Sequence, residues 1–294
     1  MPNDIYNNVL ITGGSGMLAQ ALIRALRARG IEPTAIARAQ LDIADPHAVA
    51  AVINRIKPTL ILNCAAYTKV DAAEQDEPTA TAVNATGAAY VARIAAANLA
   101  RFVHFSTDFV FDGRARRPYR TNDQPSPVSA YGRSKLAGEH AIVNSDYDPI
   151  YLIIRTAWLY GPGGPNFVQT MLNAARAGKP LKVVNDQTGS PTFTHDLAEA
   201  TLNLIDANAR GTFHVTNSGQ TTWFDLTRAI LEEFDLKADL APTTSAEWKQ
   251  LRPNSAPRPA YSVLDCSDYE RVTGKTLPGW RDALHRYRLA LSSG

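Results

Sequence analysis

A glycine-rich turn set between a strand and a helix constrains this chain more than any other stretch. Val9-Leu10-Ile11-Thr12 is an apolar run, Gly13-Gly14-Ser15-Gly16-Met17-Leu18-Ala19 follows directly, and Ala21, Leu22, Ala25 and Leu26 continue at helical spacing. Glycines in such a turn let the backbone approach a pyrophosphate, whose charge then sits at the helix N-terminus, while a small residue at position 19 lets the helix pack on the strand. Gly-x-x-Gly-x-x-Ala is by itself a common kind of turn. Its place between strand and helix makes a dinucleotide the expected ligand, held by Gly13, Gly16, Met17 and Leu18.

The strand–helix alternation then continues. Thr34-Ala35-Ile36-Ala37 reads as a second strand and is followed by Arg38, where an acidic residue would have held the ribose hydroxyls of NAD. An arginine there points instead to the 2′-phosphate of NADP, the alternative being a side chain that simply faces solvent. Leu41-Asp42-Ile43 reads as a further short strand. Asp45-Pro46 reads as the N-cap and first-turn proline of a helix from His47 to about Ile56. Thr59 to Asn63 is a buried strand, and Cys64-Ala65-Ala66-Tyr67 runs past its carboxyl end, where small residues leave room for ribose and phosphates. A long alanine-rich helix from Pro78 to about Leu99, with Asn84 inside it, leads to a strand from Phe102 to Ser106. Ile150 to Arg155 is the sixth strand in this reading. Such alternation predicts an α/β fold, a Rossmann-like doubly wound parallel sheet covered on both faces.

Gly161-Pro162-Gly163-Gly164-Pro165 interrupts the pattern. The expected organisation is a NAD(P)-binding domain over 1–160 and a smaller, mostly C-terminal α/β substrate-binding lobe over 161–294, with 211–216 rejoining the main sheet. Thirty basic against twenty-eight acidic residues leave a charge of +2, too balanced to suggest a nucleic-acid or membrane partner. No stretch has the roughly 20 apolar residues of a membrane span, and no apolar signal core precedes Val9, so a cytoplasmic address is expected. Cys64 and Cys266 lack metal or redox spacing, so neither a metal site nor a disulfide framework is expected. His104, in an apolar strand, reads as a core residue. A homodimer is left open.

Two stretches carry the chemistry. Phe105-Ser106-Thr107-Asp108 closes an apolar strand, which places the Thr107 hydroxyl at the carboxyl edge of the sheet; Ala130-Tyr131-Gly132-Arg133-Ser134-Lys135 reads as a helix entry. Tyr131 and Lys135, four apart, share a helix face. A free phenol has a pKa of about 10. A nearby lysine and a positive nicotinamide ring would both favour phenolate and bring that value toward the working range. One Tyr-x-x-x-Lys by accident is unremarkable among eleven tyrosines. The longer string Pro127-x-x-x-Tyr131-Gly132-x-Ser134-Lys135-x-x-Gly138-Glu139, after Ser106-Thr107, resembles the active-site helix of extended short-chain dehydrogenase/reductases.

Further strings resemble, in order, the signature of the dTDP-4-dehydrorhamnose reductase family: Ser106 to Gly113, Arg155-Thr156-Ala157-Trp158, Asn185-Asp186-Gln187-x-Gly189-x-Pro191-Thr192 and Arg258-Pro259-x-x-Ser262-x-Leu264. The resemblance covers nearly the whole chain, with departures at Phe109 and Tyr261. It implies reduction of the 4-keto group of dTDP-4-dehydro-L-rhamnose, a nucleotide sugar, with NAD(P)H; Arg38 favours NADPH, with NADH the alternative. Thr107, Tyr131 and Lys135 would be catalytic, Tyr131 as proton donor. Tyr131 and Lys135 would also touch the cofactor, as would Asp42 and Ile43 at the adenine and Ala65, Ala66 and Tyr67 along the ribose and phosphates. Thr107, Asp108 and Trp158 would contact the substrate, although Trp158 also reads as an aromatic supporting the lobe. Asn185, Gln187 and Arg258 face the nucleotide diphosphate in one reading and serve turns and an ion pair in the other. Two rival activities remain: an epimerase or dehydratase that retains NAD, and a non-catalytic NADP-binding regulatory subunit.

Overall fold

In a computed structural model, which describes residues 4–145 and 150–292, the alternation becomes a six-stranded sheet. Its strands are β1 (Val9–Thr12), β2 (Thr34–Ile36), β3 (Leu60–Asn63), β4 (Arg101–Thr107), β5 (Tyr151–Thr156) and β6 (Gly211–His214), in the order β6-β5-β4-β3-β1-β2. Every pairing is parallel. The strands are apolar almost throughout because both faces are covered. Alternation within each strand sorts the side chains: Val9, Ile11, Leu62, Val103 and Ile154 join one core with Leu22 and Leu26, while Leu10, Ile61, Phe102 and Ile153 join another with Val49, Ile53 and Val91.

Helices α1 (Met17–Ala28) and α5 (Thr194–Asp206) cover the first face, and α2 (Pro46–Ile56), α3 (Ala88–Ala97) and α4 (Ala130–Val143) the second. Residues beyond 161 thus supply the main sheet with a helix as well as its edge strand. The remaining C-terminal elements pack Tyr160, Leu172, Phe193, Ile230, Leu284 and Tyr287 into a separate core, formed chiefly by helices Phe167–Arg176, Trp223–Glu233 and Trp280–Ser292.

Two local expectations are corrected. Leu41-Asp42-Ile43 is not a strand. Leu41 and Ile43 are buried, but Asp42 closes a turn, its Oδ1 accepting from the Ala44 amide at 3.0 Å and its carbonyl from the Asp45 amide at 3.1 Å. Ile150–Arg155 accordingly corresponds to the fifth strand, β5. The alanine-rich helix is also not continuous: Glu77–Thr81, a π-helical turn over Ala82–Gly87 and α3 succeed one another. That turn carries Asn84 inward, and α4 lies so close against it that a Cβ on Gly138 would stand 2.2 Å from the Asn84 carbonyl oxygen. Extra-wide turns of this kind occur often at functional sites.

Candidate active site

The strand order reverses between β1 and β3, so the chains leaving these two strands part and open a crevice at the carboxyl edge of the sheet. Gly13, at φ +65°, lies on the chain beyond β3, where a Cβ would meet the Ala65 nitrogen at 2.7 Å. Helix α1 begins at Gly16 without a side-chain cap, leaving the amides of its first turn unclaimed within the helix. An uncapped twelve-residue helix behind a turn in which three of four residues are glycine fits a diphosphate. Leu18 is buried beneath the turn, and the Met17 sulfur reaches the lobe, 3.6 Å from Asn166 Nδ2. Arg38 stands exposed after β2, 3.8 Å from Asp42. Asn84 fixes the opposite wall: it accepts from the Tyr67 amide at 2.8 Å and donates to the Tyr67 carbonyl at 3.0 Å and to Ser134 Oγ at 2.9 Å.

Beside this crevice β4 ends at Thr107, and α4 starts with Ser129 as N-cap, its Oγ accepting from the Gly132 amide at 3.1 Å. Tyr131 is thereby brought beside Thr107, close enough for the hydroxyl to act on the phenol. The Thr107 hydroxyl also donates to Asp108 Oδ1 at 3.0 Å. Burial pushes the Tyr131 phenol up to about 12, the Asp108 charge adding to the rise and the Thr107 hydrogen bond opposing it. Asp108 is sealed from solvent, and burial pushes its carboxyl up to about 6 against hydrogen bonds from Ser262, Thr107 and backbone amides. Its Oδ2 has no partner among the described residues. A buried acceptor without a partner is uncommon and calls for an explanation at a functional site.

Lys135 corrects a further expectation. Its ammonium donates to the Phe105 carbonyl at 2.6 Å and lies 3.2 Å from His104 Nε2, and it is not among the groups that shift the phenol. Burial pushes Lys135 down to about 8, with Glu139 and Cys64 acting in the opposite sense. One turn further along α4, Glu139 pairs with Arg155 of β5 in a buried fork, at 2.6 Å to Nη2 and 3.0 Å to Nε, and accepts from Ser106 Oγ at 2.5 Å. These bonds lock the active-site helix to β4 and β5.

On the lobe side, Trp158 takes a positive φ of 47° and stacks on Trp223, ring centroids 3.5 Å apart. It is half-buried, with one edge of the indole over Gly189. Arg258 pairs with Asp71 at 2.9 Å, and Gln187 donates to Ser245 Oγ at 2.9 Å. Sequence reasoning assigned no role to Asn84 or Glu139. Glu139 had a usable signal, since Tyr131, Lys135 and Glu139 recur every four residues on one face; Asn84 had only its isolation among alanines. Among the described residues no cluster of His, Cys, Asp and Glu could hold a metal ion, and no helix is long and apolar enough to cross a membrane.

A doubly wound sheet with a glycine turn after β1, a hydroxyl at the end of β4 and a Tyr-x-x-x-Lys helix beside it defines the class of extended short-chain dehydrogenase/reductases. Residues 7–292 match the family model described as the RmlD substrate binding domain, and the chain belongs to that family. It is 45% identical to a dTDP-4-keto-6-deoxy-D-glucose reductase of Streptomyces niveus, with 94% of each chain covered. It is 42% identical to a dTDP-4-dehydrorhamnose reductase of Streptomyces griseus, covering 94% of this chain and 91% of that one. The solved dTDP-4-dehydrorhamnose reductase of Bacillus anthracis, in complex with NADP, superposes with a TM-score of 0.91 at 35% identity, over 96% of this chain and 99% of that one.

Proposed function

We propose that this protein reduces the 4-keto group of dTDP-4-dehydro-L-rhamnose to give dTDP-L-rhamnose, using NADPH. The observation that carries the reading is the placing of Thr107, at the end of β4, beside Tyr131 at the start of α4, with Lys135 one helical turn on and the glycine turn opening α1. The named relatives act on dTDP-linked 4-keto sugars, and the B. anthracis relative holds NADP. Arg38, exposed at the end of β2, supports NADPH over NADH because a guanidinium recognises a phosphate.

When bound, the reduced nicotinamide supplies the hydride. The protein's own groups deal with the charge that develops on the sugar oxygen. Tyr131 transfers its phenolic proton to that oxygen, and the Thr107 hydroxyl donates to it, stabilising charge that is larger in the transition state than in the substrate. A phenol held at about 12 keeps its proton at neutral pH and so starts the reaction in the donor state. An ammonium has three donors. Lys135 directs two of them to Phe105 and His104, leaving one for the ribose hydroxyls. Asp108 offers its open oxygen to a sugar hydroxyl, and Trp158 packs beside the sugar.

The 45% identity to the S. niveus enzyme supports a second substrate, dTDP-4-keto-6-deoxy-D-glucose. Following NADPH and NADH oxidation with each sugar nucleotide, with the product identified, separates the two. Faster NADPH turnover of dTDP-4-dehydro-L-rhamnose to dTDP-L-rhamnose is expected. Protein that carried stoichiometric NAD and consumed no NADPH with either sugar would instead be an epimerase or dehydratase.

A further inference from the structure

Three adjacent strands of the sheet each present one polar side chain at the same level. Thr12 of β1 is in register with Asn63 of β3, and Asn63 with His104 of β4. Each is 1% exposed, where apolar residues would have packed without needing partners. The Thr12 hydroxyl donates to Asn63 Oδ1 at 2.5 Å, Asn63 Nδ2 lies 3.1 Å from His104 Nδ1, and His104 Nε2 lies 3.2 Å from Lys135 Nζ. A continuous hydrogen-bonded row therefore joins the residue that opens the glycine turn to the amine on the active-site helix.

Donor counting gives this row two self-consistent states. An ammonium has no lone pair, so a charged Lys135 obliges His104 to accept at Nε2 and to carry its single proton on Nδ1. Asn63 must then turn its oxygen to the imidazole and its NH2 to Thr12. A neutral Lys135 accepts from Nε2–H, and every bond of the row reverses: Asn63 Nδ2 donates to Nδ1, and its oxygen accepts from Thr12. The two states differ by a turn of the Asn63 amide, whose oxygen and nitrogen are alike in size, so the row can take either without moving the strands.

We propose that His104 is a positioning residue for Lys135, and that the Thr12–Asn63–His104 row reverses its polarity with the charge of that amine, tying it to the turn that would hold the dinucleotide. The inference rests on the catalytic reading of Lys135. Burial holds the imidazole well below its ordinary pKa, so His104 stays neutral while Lys135, at about 8, titrates. The other groups around the amine are held by their own surroundings. Glu139 is committed to Arg155, burial drives the Cys64 thiol upward, and the Tyr131 phenol one turn earlier stands at about 12.

The test is ring-nitrogen NMR of the full chain across about pH 6 to about pH 10, with the His104 signals assigned by their loss in His104→Gln. The expected result is a neutral ring whose proton moves from Nδ1 to Nε2 with a midpoint near 8; a single tautomer throughout overturns the proposal. In kinetics, His104→Leu removes the acceptor, which should lower kcat/KM about tenfold and move its alkaline limb to lower pH. His104→Gln, which keeps an acceptor, should recover most of the loss. A His104→Leu enzyme with an unaltered pH profile overturns the positioning role, and if that variant does not fold, the NMR titration of the unsubstituted chain decides alone. Lys135→Met separates the two readings. Full kcat in that variant would end the catalytic reading of Lys135, whereas a single His104 tautomer in the unsubstituted chain ends only the inference drawn here.

Discussion

At the carboxyl edge of the sheet, Thr107, Asp108, Lys135, Glu139 and Arg155 are each between 1% and 6% exposed and bound to one another or to backbone. In the lobe beside it, Trp158, Trp223, Tyr261 and Arg258 are half-buried, and the principal contact is a stack of two indoles. Buried hydrogen bonds tolerate little displacement, because a partner lost in low dielectric leaves a group that water cannot satisfy. Stacked aromatics with an open edge lose only part of their contact area when one ring changes. Under the proposed function, the edge is thus suited to holding reacting atoms and the lobe to packing against the sugar.

If that contrast is right, substitutions at the edge should affect turnover far more than those in the lobe. Tyr131→Phe removes one oxygen and nothing of the packing, including the edge-on contact with Phe109. Loss of a positioned proton donor should lower kcat by about a thousandfold, with NADPH affinity by fluorescence titration nearly unchanged. A variant that kept most of its kcat would remove Tyr131 as the donor and place the chemistry elsewhere.

The next largest effect falls on stability. Glu139→Gln keeps the shape but leaves the Arg155 guanidinium without its countercharge, a change that typically costs about 3–5 kcal/mol when the pair is buried. Urea unfolding should show that loss. The alkaline limb of kcat/KM should also move to lower pH, because the Glu139 charge helps Lys135 hold its proton. A normal unfolding midpoint would mean that water reaches the pair, and the contrast between edge and lobe would weaken.

How much of this was legible beforehand depended on range. The glycine turn, the Asp45 cap and the Tyr131–Lys135 face are local patterns in which spacing alone implies geometry, and each stands where the sequence placed it. Leu41-Asp42-Ile43 misled because an apolar alternation looks the same in a buried turn as in a strand. The π-turn at Asn84 was hidden because alanine suits any helix. The direction of the Lys135 ammonium was beyond reach, since it depends on the register that sets His104 beside Asn63, and register across parallel strands leaves no trace within one segment.

Acid should expose the sealed edge before the lobe. The ring of His214 is held between the Tyr119 carbonyl at 3.0 Å from Nδ1 and Arg155 Nη1 at 3.4 Å from Nε2, so it donates to the first and accepts from the second. Burial, with the Arg155 charge adding to it, pushes this histidine down to about 3. The unfolded chain, with an ordinary histidine near 6.5, therefore binds more protons than the folded one between those values, and stability falls as pH drops from about 6.5 toward about 3. At about pH 5 the loss from this one group is of the order of 2 kcal/mol. His214→Gln can keep both hydrogen bonds without titrating, and should narrow the difference between urea midpoints at about pH 7 and about pH 5. Equal differences in the two proteins would show that the ring is not sealed.

The smallest effect is expected in the lobe and bears most directly on the contrast. Trp158→Phe retains an aromatic ring against Trp223 but is smaller, and Gly189, over which the indole lies, leaves space that phenylalanine does not fill. Losing part of one aromatic contact is worth about 0.5–1.5 kcal/mol. KM for the sugar nucleotide should rise by up to about tenfold, with kcat and the KM for NADPH unchanged, because the interaction is made equally in the ground and transition states. A fall in kcat comparable to that of Tyr131→Phe would show that the lobe sets the position of the reacting carbonyl as strictly as the edge does. The division between an edge that carries chemistry and a lobe that carries recognition would then have to be abandoned.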